Sequence, residues 1–149
     1  DGDGDLDLYV VNVNQQNKLW INSGTGSFTA QDISGDLGNS TDAAFGDVDG
    51  DGDLDLYVVN RNEQNKLWIN NGSGSFTASD VLGDTGFSEE AIFGDVDGDG
   101  DLDLYVANFG SQNKLWFNDG SGSFTANDIF GDTGGSTAVA VATWMVMAI

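Results

Sequence analysis

The chain repeats itself every 48 residues, and this period constrains its fold more than any other feature. Asp3, Asp51 and Asp99 are equivalent. So are the triplets Lys18-Leu19-Trp20, Lys66-Leu67-Trp68 and Lys114-Leu115-Trp116, and likewise Gly26-Ser27-Phe28, Gly74-Ser75-Phe76 and Gly122-Ser123-Phe124. The second and third copies agree at roughly 70% of positions. The array divides into a partial first repeat (1–44), a second (45–92), a third (93–140), and a segment 141–149 where a fourth would start.

Each copy reads as strands separated by turns. Leu54 to Val59 is β-branched and aromatic enough for one strand, and Lys66-Leu67-Trp68-Ile69 for a second. Asn71-Gly72-Ser73-Gly74 is a turn that closes a hairpin onto Ser75-Phe76-Thr77-Ala78, and Glu90-Ala91-Ile92-Phe93 supplies a fourth strand. No stretch carries helical periodicity over a useful length. The expectation is an all-β chain of tandem four-stranded blades of the propeller type, with a β-solenoid as the competing architecture.

Composition narrows the chemistry. The chain has 25 Asp+Glu against 4 Lys+Arg, a net charge of −21, which argues against nucleic acid and anionic membrane surfaces as partners. The apolar fraction of 39%, interleaved with the acid, argues against a disordered acidic tail. There is no Cys and no His, so thiolate sites, most zinc sites and the commonest general base are excluded. No segment is long and apolar enough to span a bilayer as a helix, so no membrane insertion is expected. The first residue is not Met, and no signal peptide is visible at the start.

The acid is concentrated in one loop. Asp47-Val48-Asp49-Gly50-Asp51-Gly52-Asp53-Leu54-Asp55 fits the pattern D-x-D-x-D-G-x-x-D. A hard cation such as Ca2+ takes six to eight oxygens at about 2.3–2.6 Å, and alternating aspartates on a tight loop point several carboxylates at one centre. The side chains of Asp47, Asp49, Asp51 and Asp55 are the expected ligands, with the carbonyl of Asp53 as a further one and Gly52 permitting the turn. The third copy repeats the pattern with Asp95, Asp97, Asp99, Asp101 and Asp103. The first begins inside it, with Asp1, Asp3, Asp5 and Asp7, and its site is expected to be incomplete. An EF-hand does not fit, because its twelfth position needs a bidentate Glu and here holds Val58 or Val106.

These residues resemble the FG-GAP and related VCBS-type repeats of integrin-like β-propellers. Phe45 to Leu56 and Phe93 to Leu104 carry the hallmark, and Leu56 to Asn60 and Asn65 to Phe76 look like the bacterial members. The resemblance implies four-stranded blades around an axis with calcium in loops between strands. It also implies a non-catalytic module for adhesion, glycan or protein binding, or scaffolding in secreted or cell-surface proteins. One departure is that family propellers close with about seven blades, and closure needs at least four, whereas this chain carries about three units. It is therefore expected to be a fragment, to pair with other copies, or to stack as an open array. A self-assembling extracellular fibre or surface layer stabilised by calcium is the alternative function.

The segment Val141 to Ile149 stands where the repeat calls for another acidic loop. Codons for Gly-Asp-Val-Asp-Gly-Asp-Gly-Asp read one base later translate as Ala-Thr-Trp-Met-Val-Met-Ala, which matches residues 142–148. A frameshifted fourth loop is the expectation. Trp20, Trp68 and Trp116 could stack on sugars but read better as core or interface aromatics. Lys18, Lys66 and Lys114 are expected to pair with nearby carboxylates. Asn39-Ser40-Thr41 and Asn71-Gly72-Ser73 are N-glycosylation sequons. No carboxylate pair stands apart from the loops for glycosidase chemistry.

Overall fold

A computed structural model describes residues 1–81, 83–129 and 131–142. Among these residues every regular element is a strand. The order is β1 (Leu8–Val10), β2 (Val13–Gln16), β3 (Lys18–Asn22), β4 (Phe28–Gln31), β5 (Leu37–Gly46), β6 (Asp55–Gln64), β7 (Lys66–Asn70), β8 (Phe76–Ala78), β9 (Thr85–Gly94), β10 (Asp103–Gln112), β11 (Lys114–Asn118), β12 (Phe124–Ala126) and β13 (Thr133–Gly135).

All pairings are antiparallel and recur with the repeat. The second unit is the meander β5-β6-β7-β8 and the third is β9-β10-β11-β12, while the first contains β1-β3-β4. Within each, the Lys-Leu-Trp strand pairs with its Leu-Tyr-Val neighbour in one register: Leu8↔Trp20, Leu56↔Trp68 and Leu104↔Trp116. The expected hairpin across Asn71–Gly74 is present, with Asn70 opposite Phe76.

Two strands run longer than their sequence suggests. β6 continues through Asn60–Gln64, and β9 begins at Thr85. These polar, Gly-containing stretches have weak intrinsic strand preference. They are held because they pair with one another across the unit boundary, Arg61↔Phe87 and Gln64↔Thr85. The same ribbon forms between β2 and β5 and between β10 and β13. Each ribbon carries a bulge, and the residue there has a left-handed backbone: Asn14 at φ 56°, Asn62 at φ 59° and Gly110 at φ 72°. Asn and Gly are the residues that adopt this conformation at least cost. Because the meander of the second unit spans 37–78, the second and third sheets each take their first strand from residues that precede the acidic loop.

The units stack face to face, and the period-2 alternation of a strand decides which neighbour each side chain meets. In β6, Leu56 and Val58 turn toward the first unit and pack with Ile33, Tyr9, Val11 and the second unit's own Trp68. Tyr57 and Val59 turn the other way, joining Val81, Leu104, Val106 and Trp116 at the boundary with the third unit. All four of these β6 side chains are fully buried. The tryptophans Trp68 and Trp116 are therefore interface core residues, as their sequence context suggested.

A second, polar core threads the stack. Asn17 Nδ2 donates to Asp36 Oδ1 (3.0 Å) and Ser40 Oγ (2.9 Å), and Ser40 Oγ donates to Asn60 Oδ1 (2.8 Å). Asn60 N–H donates to Asn65 Oδ1 (2.7 Å), Asn65 Nδ2 to Ser88 Oγ (3.1 Å), and Ser88 Oγ to Asn108 Oδ1 (2.9 Å). Asn113 closes the run by accepting from Asn108 N–H (2.8 Å) and donating to Asp132 and Ser136. The hydroxyls of Tyr9 and Tyr105 donate to Asp36 and Asp132. In the middle unit, the Tyr57 hydroxyl and both Asp84 oxygens are buried without a partner. Burial pushes the Asp84 carboxyl up to about 7, opposed by the Lys114 charge and reinforced by that of Asp128.

Candidate metal centre

The acidic loops join the first strand of each sheet to its neighbour, between β5 and β6 and between β9 and β10. Their shape is set by their own aspartates. Asp47 accepts from Gly50 N–H at Oδ1 (2.9 Å) and Gly52 N–H at Oδ2 (3.0 Å), folding the chain around its carboxylate. Asp49 and Asp51 each accept from the N–H two residues on, at 3.3 and 2.9 Å. The loop between β9 and β10 repeats every bond, through Asp95 to Gly98 and Gly100, Asp97 to Asp99, and Asp99 to Asp101.

Asp55 anchors the loop to the sheet. It is buried, with Val48 N–H on Oδ2 (2.9 Å) and Asn70 N–H on Oδ1 (2.8 Å). One carboxylate thereby ties the loop to the end of β7. Asp103 does the same through Val96 (2.9 Å) and Asn118 (3.0 Å). Burial holds the Asp55 carboxyl above its usual value; the two N–H groups oppose this, and the charges of Asp49 and Asp51 add to it.

The carboxylates converge. Asp47, Asp49 and Asp55 offer oxygens within 4.8 Å of one another, and so do Asp95, Asp97 and Asp99. Two oxygens bound to one Ca2+ at about 2.3–2.6 Å lie at most about 5.2 Å apart, so the spacing fits a shared hard cation. Superposed by the repeat, the two clusters cover all four expected side-chain positions; Asp51 lies outside the first cluster and Asp103 outside the second. The Asp53 carboxylate points away, against Gly72 of the hairpin turn, and Asp101 lies likewise against Gly120. That leaves their carbonyls as the groups available to the loop.

The first copy repeats the bonds of the other two where it has the equivalent residues; the positions of Asp47 and Val48 lie before residue 1. Asp1 and Asp3 accept from Asp3 N–H (3.2 Å) and Asp5 N–H (2.9 Å), Asp7 accepts from Asn22 N–H (2.7 Å), and Asp5 lies against Gly24. Val48 packs against Ile69 and Gly122 at the second boundary.

Among the described residues no lysine or arginine pairs with the Asp47 or the Asp95 cluster. The four basic side chains are engaged elsewhere: Lys18 with Asp32 (2.7 Å), Lys66 with Asp80 (2.7 Å), Lys114 with Asp128 (2.6 Å) and Arg61 with Glu89 (2.5 Å). Sequence reasoning anticipated the lysine pairing but missed the buried Asn17, Asn65 and Asn113. Their recurrence in all three copies, outside both the loops and the apolar pattern, was the available signal.

The fold and these loops define an all-β repeat array in which the second and third units each carry an aspartate-rich turn between their first two strands. The family comparison agrees with this class: the model of the FG-GAP-like repeat matches residues 1–58, 47–106 and 95–143. The chain belongs to the FG-GAP-like repeat family, whose repeats are typically non-catalytic structural modules and are common in extracellular or surface proteins. A search of the curated proteins finds no match. The expected fourth acidic loop falls largely on 143–149, outside the described residues.

Proposed function

We propose that the chain is a calcium-binding module of a secreted or cell-surface protein, non-catalytic itself, serving adhesion to a glycan or protein ligand. The observation that carries the reading is the convergence of three carboxylates in each of two equivalent loops, within 4.8 Å and with every basic side chain occupied elsewhere. All-oxygen donors and the absence of His and Cys favour a hard cation over zinc or copper. Asp47, Asp49, Asp51 and Asp55 would hold one ion with the Asp53 carbonyl, and Asp95, Asp97, Asp99 and Asp103 a second with the Asp101 carbonyl. The ion would replace mutual repulsion by shared attraction and lock loop, β6 and the β7–β8 hairpin together through Asp55. Calcium titration of chelator-stripped protein tests the reading. Two tight sites and a higher melting temperature are expected, since binding at a hundred times Kd stabilises by about 2.7 kcal/mol per site. An unchanged melting curve after rigorous calcium removal and readdition would overturn it. A glycan array in calcium is the direct search for the ligand.

A further inference from the structure

An asparagine ends the Lys-Leu-Trp strand in every copy, at Asn22, Asn70 and Asn118. In each, its backbone N–H donates to the last aspartate of its own unit's loop: Asp7 (2.7 Å), Asp55 (2.8 Å) and Asp103 (3.0 Å). Its Nδ2 donates to the carbonyl just before that aspartate, on Leu6, Leu54 or Leu102, each time at 3.2 Å. An amide nitrogen carries two hydrogens. Asn118 directs the other one across the unit boundary, to the carbonyl of Val48 (2.7 Å) in the middle of the preceding acidic loop.

One amide group thereby holds the backbone of two loops. Val48 stands between Asp47 and Asp49, and Leu102 between Asp101 and Asp103. The Oδ1 of Asn118 accepts from Gly120 N–H (3.2 Å), so every polar atom of the side chain is committed. Asn118 is 5% exposed and Val48 is buried, so water does not compete for these bonds. The surroundings are equally close. A Cβ at Gly122 would lie 3.7 Å from Val48 Cγ2 and 3.8 Å from Asp49 Cβ, and one at Gly50 would lie 3.8 Å from the Gly120 carbonyl. The hairpin turn of the third unit therefore rests on the acidic loop of the second.

We propose that Asn118 is a positioning residue that couples the two cation sites, so that filling either loop raises the affinity of the other. The inference rests on the calcium reading above. Without an ion, repulsion among Asp47, Asp49, Asp51 and Asp55 works against the loop that carries the Val48 carbonyl. An ion shared by Asp47 and Asp49 fixes that carbonyl between them, and with it the Asn118 amide. The same residue holds Leu102 and Asp103, so the end of the neighbouring site is in place before its own ion arrives. The entropy lost in ordering Asn118 at the first site is not lost again at the second. Such coupling is reciprocal: each site helps the other by the same factor.

Calcium titration of the chelator-stripped full chain against a fluorescent competing chelator tests this. Wild type should bind more steeply than two independent sites. Asp51→Ala and Asp99→Ala each leave one tight site, and each gives the association constant of a site acting alone. The product of the two wild-type constants should exceed the product of these single-site constants by on the order of 5-fold or more. Asn118→Ala removes the amide but keeps the backbone N–H that serves Asp103. In that background the two products should agree and the steepness should be lost. An asparagine with a merely structural role would lower stability or affinity and leave the steepness unchanged. Asn118→Leu, of similar size and without a donor, takes the place of Asn118→Ala if circular dichroism shows the latter unfolded. Two ions bound independently by wild type, or steepness retained without the Asn118 amide, would overturn the coupling alone. No calcium bound by any form would overturn the calcium reading and the coupling with it.

Discussion

Replacing Asn65 by alanine removes a side chain with no solvent exposure from the centre of the polar core. Two bonds go with it: the acceptor for Asn60 N–H at 2.7 Å and the donor to Ser88 Oγ at 3.1 Å. Asn60 and Ser88 are themselves buried, so water cannot take the vacated place without opening the unit boundary. A buried polar group left unpaired costs about 1–3 kcal/mol, and the Asn60 N–H has no alternative acceptor in its strand. Ser88 Oγ keeps its bond to Asn108, so its loss is smaller. The expected destabilisation is about 3 kcal/mol, against the 5–15 kcal/mol typical of a whole domain. Urea unfolding in saturating calcium, followed by tryptophan fluorescence, measures it as a lower midpoint at unchanged slope. Ser79→Ala, at an exposed hydroxyl, is the control and should lie within about 0.5 kcal/mol of wild type. A loss below about 1 kcal/mol for Asn65→Ala would refute the claim that these asparagines hold the units together.

Asp51→Ala and Asp99→Ala should each reduce the calcium stoichiometry by one tight site in calorimetric titration, whereas Lys66→Ala should leave both sites intact. Asp84 has a folded-state value near 7 against 3.8 for the free side chain, so the native state holds its proton more tightly than the unfolded chain. Its contribution is fully present below about pH 4 and is lost as pH rises through 7, by on the order of 4 kcal/mol. Asp84→Asn should therefore gain on wild type between pH 4 and 7 and keep a constant advantage above that, as read from melting curves across the range. Gly72 has φ 75°, and a Cβ there would overlap the Asp53 carboxylate, so Gly72→Ala should cost about 1–2 kcal/mol in the same unfolding assay.

Much of this molecule is legible in its sequence, because the repeat aligns every local signal three times. The acidic loop, the hairpin at Asn71–Gly74 and the Lys-Leu-Trp strand are local patterns, and each lies where its pattern puts it. What escaped reading is non-local. Asn60–Gln64 extends β6 only because β9 lies beside it, and nothing in those five residues names that partner. The buried asparagines look like turn residues in a chain full of Asn-Gly turns; their burial follows from side-chain geometry between units, which residue type alone does not reveal. At the candidate site, the aspartate spacing identifies the loop. The second duty of Asp55 and Asp103, fastening the loop to the next strand's end, depends on hydrogen bonds to Asn70 and Asn118 fifteen residues away.

The alternation of β6, with even-numbered residues facing one neighbour and odd-numbered residues the other, bears on how such a chain can change over generations. Deleting one residue after the acidic loop would hand Leu56 and Val58 to the wrong side and leave both boundaries mismatched at once. Loss or gain of a whole 48-residue segment leaves every contact as it was. Genes of this kind can therefore lengthen and shorten by recombination in full units while small insertions within the strands are purged.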